Sequence, residues 1–296
     1  MATTAYILLV LTTLMWGGNS IAGKMAVGHV SPMILVFFRW LLAFLVLLPV
    51  AWRPLREDWP VVRPHLLKLS VLGACGFTLF NVIFYTALNY TTAINVSIEQ
   101  AGMPVLIILI NFFLFRMRAS WAQLVGALVT IVGVVLTAAH GDPLQLMTLQ
   151  LNFGDAIMLI AVILYSFYSV GLRLKPNIQW QSLILVFTGS SLLTATPFAL
   201  WEIASSNAIY PDLEGWLLIA YTAFIVSAVS QVFFIRGIEL IGPNRAGIFI
   251  NLVPIFGTLL SVLILGESFH LYQGIALALV LGGIWMAETS GRKRAA

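Results

Sequence analysis

Two charges stand where charge is expensive. Arg39 lies within the apolar run Pro32 to Trp52 and Glu99 within the run Ala93 to Phe115, each about seven residues from one end and so roughly 10 Å deep at 1.5 Å per residue. A lone ionised side chain at that depth costs about 3 kcal/mol or more, so such residues mark a ligand, a proton path or an internal pair. Their matching depth predicts that they pair. Such a pair either locks two helices together statically or takes part in function, by closing one side of the molecule or by leaving Arg39 or Lys24 to meet an anionic group. Glu99 is the one acid well inside an apolar run, and any proton coupling through a membrane carboxylate would use it.

Uncharged polar residues fall in stripes. Thr78, Asn81 and Tyr85 share one face of a helix, and Asn81 has Gln231 as its counterpart 150 residues on. Gly247, Asn251, Pro254, Thr258 and Ser261 line another helical face, and Ser97, Ala101, Pro104 and Asn111 repeat the pattern earlier in the chain. These stripes read either as helix packing or as the lining of a cavity with a kink at each proline. Trp16, Tyr165 and Tyr168, with Ser169 beside them, sit well inside apolar runs, where aromatic rings either pack or face a flat or apolar ligand.

Catalytic patterns are missing. The four histidines, His29, His65, His140 and His270, stand at or beyond the ends of apolar runs, and no H-E-x-x-H, G-x-S-x-G or paired aspartates occur within those runs. No catalytic residue, metal site or cofactor is therefore expected, and without a G-x-x-x-x-G-K-[ST] loop direct ATP drive is not expected either. No ring of charges or carbonyl-filter motif points to a channel.

The elements that must position these residues follow from composition. Of 296 residues 60% are hydrophobic and 9% charged, against about 25% charged in soluble domains. Ten apolar segments, each near the roughly 20 residues needed to span hydrocarbon, can be drawn: Thr4–Met25, Pro32–Trp52, Leu66–Asn89, Ala93–Phe115, Trp121–Ala139, Gly154–Leu172, Gln181–Glu202, Gly215–Arg236, Asn244–Leu265 and Leu271–Glu288. The seventh is diluted by Thr and Ser, and Pro197 is expected to bend it. The expected fold is thus an all-α integral membrane protein.

Thirteen of the fifteen Lys and Arg fall on the side of the termini and of the even-to-odd connections, Lys24 and Arg39 being the exceptions. The positive-inside rule then places both termini in the cytoplasm of a multi-pass protein of the plasma membrane. The net charge of +4 reflects that orientation, and no nucleic-acid partner is invoked. Cys75 stands alone, so no disulfide framework exists, and the N-terminus lacks a basic stretch and reads as the first helix.

A shift of 150 residues aligns Phe84 with Phe234, Ile98 with Ile248, Pro104 with Pro254, Leu109 with Leu259, Gln123 with Gln273 and Gly133 with Gly283. The expected organisation is a first five-helix repeat at 1–140, an extracytoplasmic linker at 141–153, a second repeat at 154–290 and a basic tail at 291–296. Five is odd, so the repeats should be inverted around a central cavity, the design of carriers that work by alternating access.

The order of short motifs resembles the ten-helix, EamA-type exporters of the drug/metabolite transporter superfamily. Leu14-Met15-Trp16-Gly17-Gly18-Asn19-Ser20 followed by Lys24 is similar to that family's first-helix signature, Pro32 and Arg39 to its second, and Leu265-Gly266-Glu267 to the close of its second repeat. Phe115-Arg116 departs from the glycine-glutamate expected at the end of the first repeat. The resemblance implies a bacterial inner-membrane exporter of small metabolites, with amino acids, aromatic ones included, as leading substrates. Its expected substrate-binding residues are Trp16, Asn19, Lys24, Arg39, Thr78, Asn81, Tyr85, Glu99, Tyr165, Tyr168, Ser169, Gln231 and Asn251, with Pro104 and Pro254 as hinges. The expected partners are the small-molecule substrate and the lipid bilayer, and the chain is expected to work as a monomer. An organic-phosphate or nucleotide-sugar antiporter is the alternative within transport, and an intramembrane enzyme the alternative outside it.

Overall fold

The computed structural model describes residues 2–116, 121–142, 152–205, 208–241, 246 and 249–295, and all regular structure among them is helical. The first part of the chain forms α1 (Ala2–Met25), α2 (Pro32–Val62), α3 (Leu66–Gly73), α4 (Phe80–Ala87), α5 (Ala93–Gln100), α6 (Met103–Phe115) and α7 (Trp121–Ala138). The second forms α8 (Phe153–Gly171), α9 (Trp180–Ala204), α10 (Leu213–Ala220), α11 (Ser230–Ile241), α12 (Val253–Leu260) and α13 (Leu271–Ala295). Seven runs are long and apolar enough to cross a membrane, with Ile250–Leu265 and Leu271–Met286 as shorter apolar helices.

Local chemistry sets where these helices begin. Thr92, Asn152 and Asp212 occupy N-cap positions and accept from the amides of Asn95, Gly154 and Gly215. Ser31 precedes Pro32 at the start of α2 without capping it by its side chain. There Glu202 serves instead, accepting from the amides of Met33 and Ile34 at 3.0 and 2.9 Å. Glu267 does the same for α5, accepting from Ala93 and Ile94 at 2.8 and 3.0 Å. A carboxylate over free N–H groups also meets the positive end of the helix dipole.

Three helical runs hold a wider coil. α3 and α4 are joined by a π-helical stretch, Ala74–Leu79, α10 and α11 by another, Tyr221–Val229, and a third, Ser261–Leu265, follows α12. A shift of 150 maps the first into the second. The sequence gives no sign of any of them, because a π turn needs no special residue type.

Several boundaries differ from expectation. α2 continues past Trp52 to Val62 through Pro49, Pro54 and Pro60, because each proline keeps a helical φ and forfeits one backbone bond. Its extension is anchored by Asp58, which accepts from the Gln179 amide at 2.8 Å and the Ser182 hydroxyl at 2.6 Å. α9 runs unbroken through Pro197. Gly247 of the second polar stripe, the charged residues Arg118 and Arg245, and 143–151 of the expected linker lie outside the described residues, as do the side chains of the basic tail.

Contacts gather the connections at two ends. Residues 26–31, 88–92, 139–142, 208–212 and 266–270 meet at one, through bonds such as Ser31 N to Ile209 O and Lys24 Nζ to Thr91 O. The 53–65 and 172–179 stretches meet at the other, where Lys68 donates to Leu174 O.

α1 packs against α11 and α12, α8 against α4 and α6, α2 against α9, and α7 against α13. Exchanging the two parts of the chain maps each pairing onto itself or onto another of the set. The glycines explain the closest approaches. A Cβ on Gly17 would stand 2.8 Å from the Gly257 nitrogen, and one on Gly283 would stand 2.5 Å from the Gly126 carbonyl oxygen.

Candidate functional site

Arg39, 5% exposed, is held from both parts of the chain. Its Nε donates to Ser227 Oγ at 2.9 Å, and its Nη1 to Asn19 Oδ1 at 3.2 Å and Asn81 Oδ1 at 3.0 Å, with the Tyr85 hydroxyl also against Nη1. Tyr85 in turn donates to Asn19 Oδ1 at 2.8 Å. Two of the π-helical stretches set this geometry: Ser227 lies within one, its hydroxyl bonded to Thr222 O five residues back, and Asn81 follows the other. Wide turns of this kind recur at functional sites.

No carboxylate pairs with Arg39 among the described residues. The expected Arg39–Glu99 pair is therefore wrong. Equal depth put the two at one level but not on facing helix surfaces, and α2 packs against α9 while α5 packs against α12, α8 and α7.

An aromatic wall begins beside the guanidinium. Arg39 Cζ lies 5.0 Å from the Trp40 ring, which stacks on Phe77 at 4.7 Å and 13°. Phe77 meets Tyr168 at 5.8 Å, and Tyr168 meets Tyr165 at 5.3 Å. Gly76 lets the Tyr168 ring approach, since a Cβ there would fall 2.3 Å from it. In the sequence Trp40 looks like any other apolar residue of its run, yet its indole N–H is buried without a partner among the described residues.

Trp16 lies elsewhere, donating to Ser230 Oγ at 2.8 Å and packing on Phe234 at 5.1 Å. Tyr165, its counterpart at a shift of 149, packs on Phe80 at 5.0 Å. Ser230 and Phe80 are themselves 150 apart, so the two aromatic anchors occupy matched places.

The remaining expected site residues separate. Lys24 directs its ammonium at the Leu88 and Thr91 carbonyls, at 2.8 and 2.7 Å, at the end of the bundle. Thr78 bridges to α9 through Ser191 O and the Thr194 hydroxyl at 2.9 and 2.8 Å, which is helix packing. Ser169, Gln231 and Asn251 are partly exposed. Pro104 and Pro254 each stand in the first turn of a half-helix that follows a break, at Ala101–Gly102 and at the 3₁₀ turn Ile250–Leu252. A proline is tolerated there because the first amides of a helix have no partner within it.

A second polar group was missed. Asp155, fully buried, lies 2.7 Å from His140 Nε2 and accepts from Thr91, while Asn95 links it to Gln273 through a 2.8 Å bond. Asp155 begins its helix and His140 opens the connection after α7, so neither looks intramembrane in the sequence. Where the loops close over this end, His29 Nδ1 sits 2.8 Å from Asp212 and Nε2 3.5 Å from Glu214. The Asp212 hydrogen bond holds the His29 imidazole above its ordinary value. The Gly215 amide and then His29 hold the Asp212 carboxyl below its own.

Apolar helices enclosing a buried polar network, built on two matched parts of one chain, define a multi-pass membrane protein. The EamA-like transporter family matches twice, over residues 3–139 and 152–289, and the chain belongs to that family. It is similar to the uncharacterized transporter YetK of Bacillus subtilis (strain 168), 26% identical with 95% of this chain and 86% of that protein covered. An uncharacterized transporter of Archaeoglobus fulgidus is 27% identical, covering 97% of this chain and 98% of that one. A solved crystal structure, 22% identical, superposes with a TM-score of 0.65 over 99% of both chains and shares the fold. The chain is accordingly a membrane transporter, and the enzyme alternative has no support from its relatives.

Proposed function

We propose that this transporter exports small metabolites bearing a carboxylate, amino acids and aromatic ones among them, by alternating access. The observation that carries the reading is Arg39, a buried guanidinium held in place by neutral oxygens with no carboxylate beside it among the described residues. Such a cation favours an anionic ligand group, and a planar carboxylate suits its fork. The free Trp40 N–H beside it offers a further donor, and the Phe77, Tyr168 and Tyr165 rings offer a surface for an aromatic side chain.

The site is closed in this conformation, with a pocket of about 10 Å³ beside Tyr85, the room of one water. Opening would proceed at the breaks preceding Pro104 and Pro254. Ten crossings support this cycle. The run Pro32–Ala87 has 56 residues, enough for two crossings, and with the other six long runs and the two shorter helices it makes ten. The doubled family match and the self-mapping helix pairs support two inverted halves. The positive-inside rule then argues for cytoplasmic termini in the inner membrane of a bacterium.

An organic phosphate would call for a second cation at the site, and Lys24 is engaged with carbonyls instead. The test is counterflow of labelled amino acids and of sugar phosphates in liposomes containing the purified chain. Saturable exchange of amino acids supports the proposal, and exchange of phosphates alone overturns it.

A further inference from the structure

Among the described residues, the buried and half-buried acids fall into two kinds. Asp155, Glu202 and Glu267 each receive hydrogen bonds from amides or side chains that compensate the loss of water. Glu99 is fully buried, and neither of its carboxyl oxygens has a hydrogen-bond partner among the described residues. It stands in the last turn of α5, two residues before the break at Ala101–Gly102.

The described residues of the elements packed against α5 supply no counter-charge. α1 brings Lys24, bonded to the Leu88 and Thr91 carbonyls, while α7 has no titratable residue in its length and leads to His140, which faces Asp155. α8 brings Asp155, engaged with Thr91 and His140, along with Tyr165 and Tyr168 in the aromatic wall. α12 leads to Glu267, engaged with the α5 amides, and α13 brings Tyr272 near Asn95. A fully buried ionised carboxylate without donors is untenable in this setting, whereas a neutral carboxylic acid is not.

We infer that Glu99 is a proton-binding site that couples transport to a proton. In the closed state the carboxyl holds one proton. When α5 and α6 part at Ala101–Gly102 and water reaches the carboxyl, the proton leaves to that water, and the next substrate-free closure requires another to be taken up. One proton crosses per cycle when the empty closure carries it and the substrate-loaded closure, in the opposite direction, does not. The inference rests on the transport reading above.

Liposomes containing wild type, Glu99→Gln or Glu99→Asp separate the two. Counterflow at equal pH on both sides reports transport itself. Net accumulation under an imposed pH gradient, with the voltage clamped at zero, reports coupling. Wild type is expected to sustain up to about tenfold accumulation per pH unit at one proton per substrate. Relative to its own counterflow rate, Glu99→Gln, which replaces a neutral acid with a neutral amide of the same shape, should lose the gradient response, which Glu99→Asp should retain. Wild type with active counterflow but no response to the gradient, or Glu99→Gln still driven by it, overturns the inference. Infrared spectroscopy of the purified protein in lipid is independent of any substrate. A protonated carboxylic-acid carbonyl band that disappears in Glu99→Gln supports the site, and the lack of that band in wild type at neutral pH overturns it even if no substrate is found.

Discussion

The guanidinium of Arg39 and the hydroxyl of Tyr85 converge on one oxygen, Oδ1 of Asn19, at 3.2 and 2.8 Å. The helices α1, α2 and α4 thereby meet at a single atom, and Ser227 adds a π-helical stretch from the other part of the chain. A ligand carboxylate arriving at Arg39 would compete with this arrangement, so binding and rearrangement of the helices are linked.

Replacing Arg39 by Gln removes a charged donor, and charged hydrogen bonds contribute about 2 kcal/mol each, so transport should fall roughly 30-fold or more at equal protein level. Arg39→Lys should recover part of it, since a point charge lacks the planar fork. Tyr85→Phe, which leaves the charge in place, should cost less than either. Initial rates of counterflow, normalised to protein in the membrane, measure all three.

Adjacent glycines in α13 give a packing test. A Cβ at Gly283 would meet Thr130 Oγ1 at 2.3 Å and the Gly126 carbonyl at 2.5 Å, whereas one at Gly282 meets nothing within 4 Å. Gly283→Ala should destabilise by about 1–3 kcal/mol while Gly282→Ala is neutral. Thermal unfolding of the two variants in one detergent decides it.

Pro104 and Pro254 stand just beyond helix breaks, and alanine at both would supply the missing amides and favour continuous helices. The double variant is expected to insert normally and transport more slowly, with substrate affinity little changed. An unaltered rate would remove these breaks from the cycle.

The loop contact between His29 and the pair Asp212 and Glu214 should depend on pH in both directions. The folded His29 value is raised, so its contribution is full below the ordinary imidazole value near about 6.5 and fades as pH climbs through the raised one. The folded Asp212 value is lowered, so its contribution is present above the ordinary carboxylate value near about 3.9 and is lost as pH falls through the lowered one. Hydrogen exchange of residues 26–31 should be slowest between those limits in wild type, and should show no rise on the alkaline side attributable to this pair in His29→Ala.

Helix existence was legible because apolar runs of spanning length have little else to become, and the 150-residue repeat was legible through its prolines, glutamines and glycines. Arg39, Asn81 and Tyr85 were found together because depth and periodicity both mark them. Of the other partners of Arg39, Asn19 was reached only through the motif resemblance and Ser227 was not reached, since depth fixes a level and leaves the rotation of each helix open: Glu99 shared that level and faced elsewhere, while Ser227 and Asn19 faced in. The π-helical stretches, the unsatisfied Trp40 and the Asp155–His140 contact depend on coil width and loop paths that residue spacing does not encode. Arg116 is instructive in another way: it adopts φ 51° where its counterpart Gly266 adopts 66°, so the turn survives although the glycine-glutamate motif does not.

Glu202 and Glu267 have a consequence for the order of events during synthesis. Both lie late in the chain, and both supply acceptors for the first amides of helices made long before them, α2 and α5. As the polypeptide grows from its N-terminus, those helix ends must wait for residues 202 and 267 to arrive. The early half of the molecule is thus left unfinished until the late half is threaded into place.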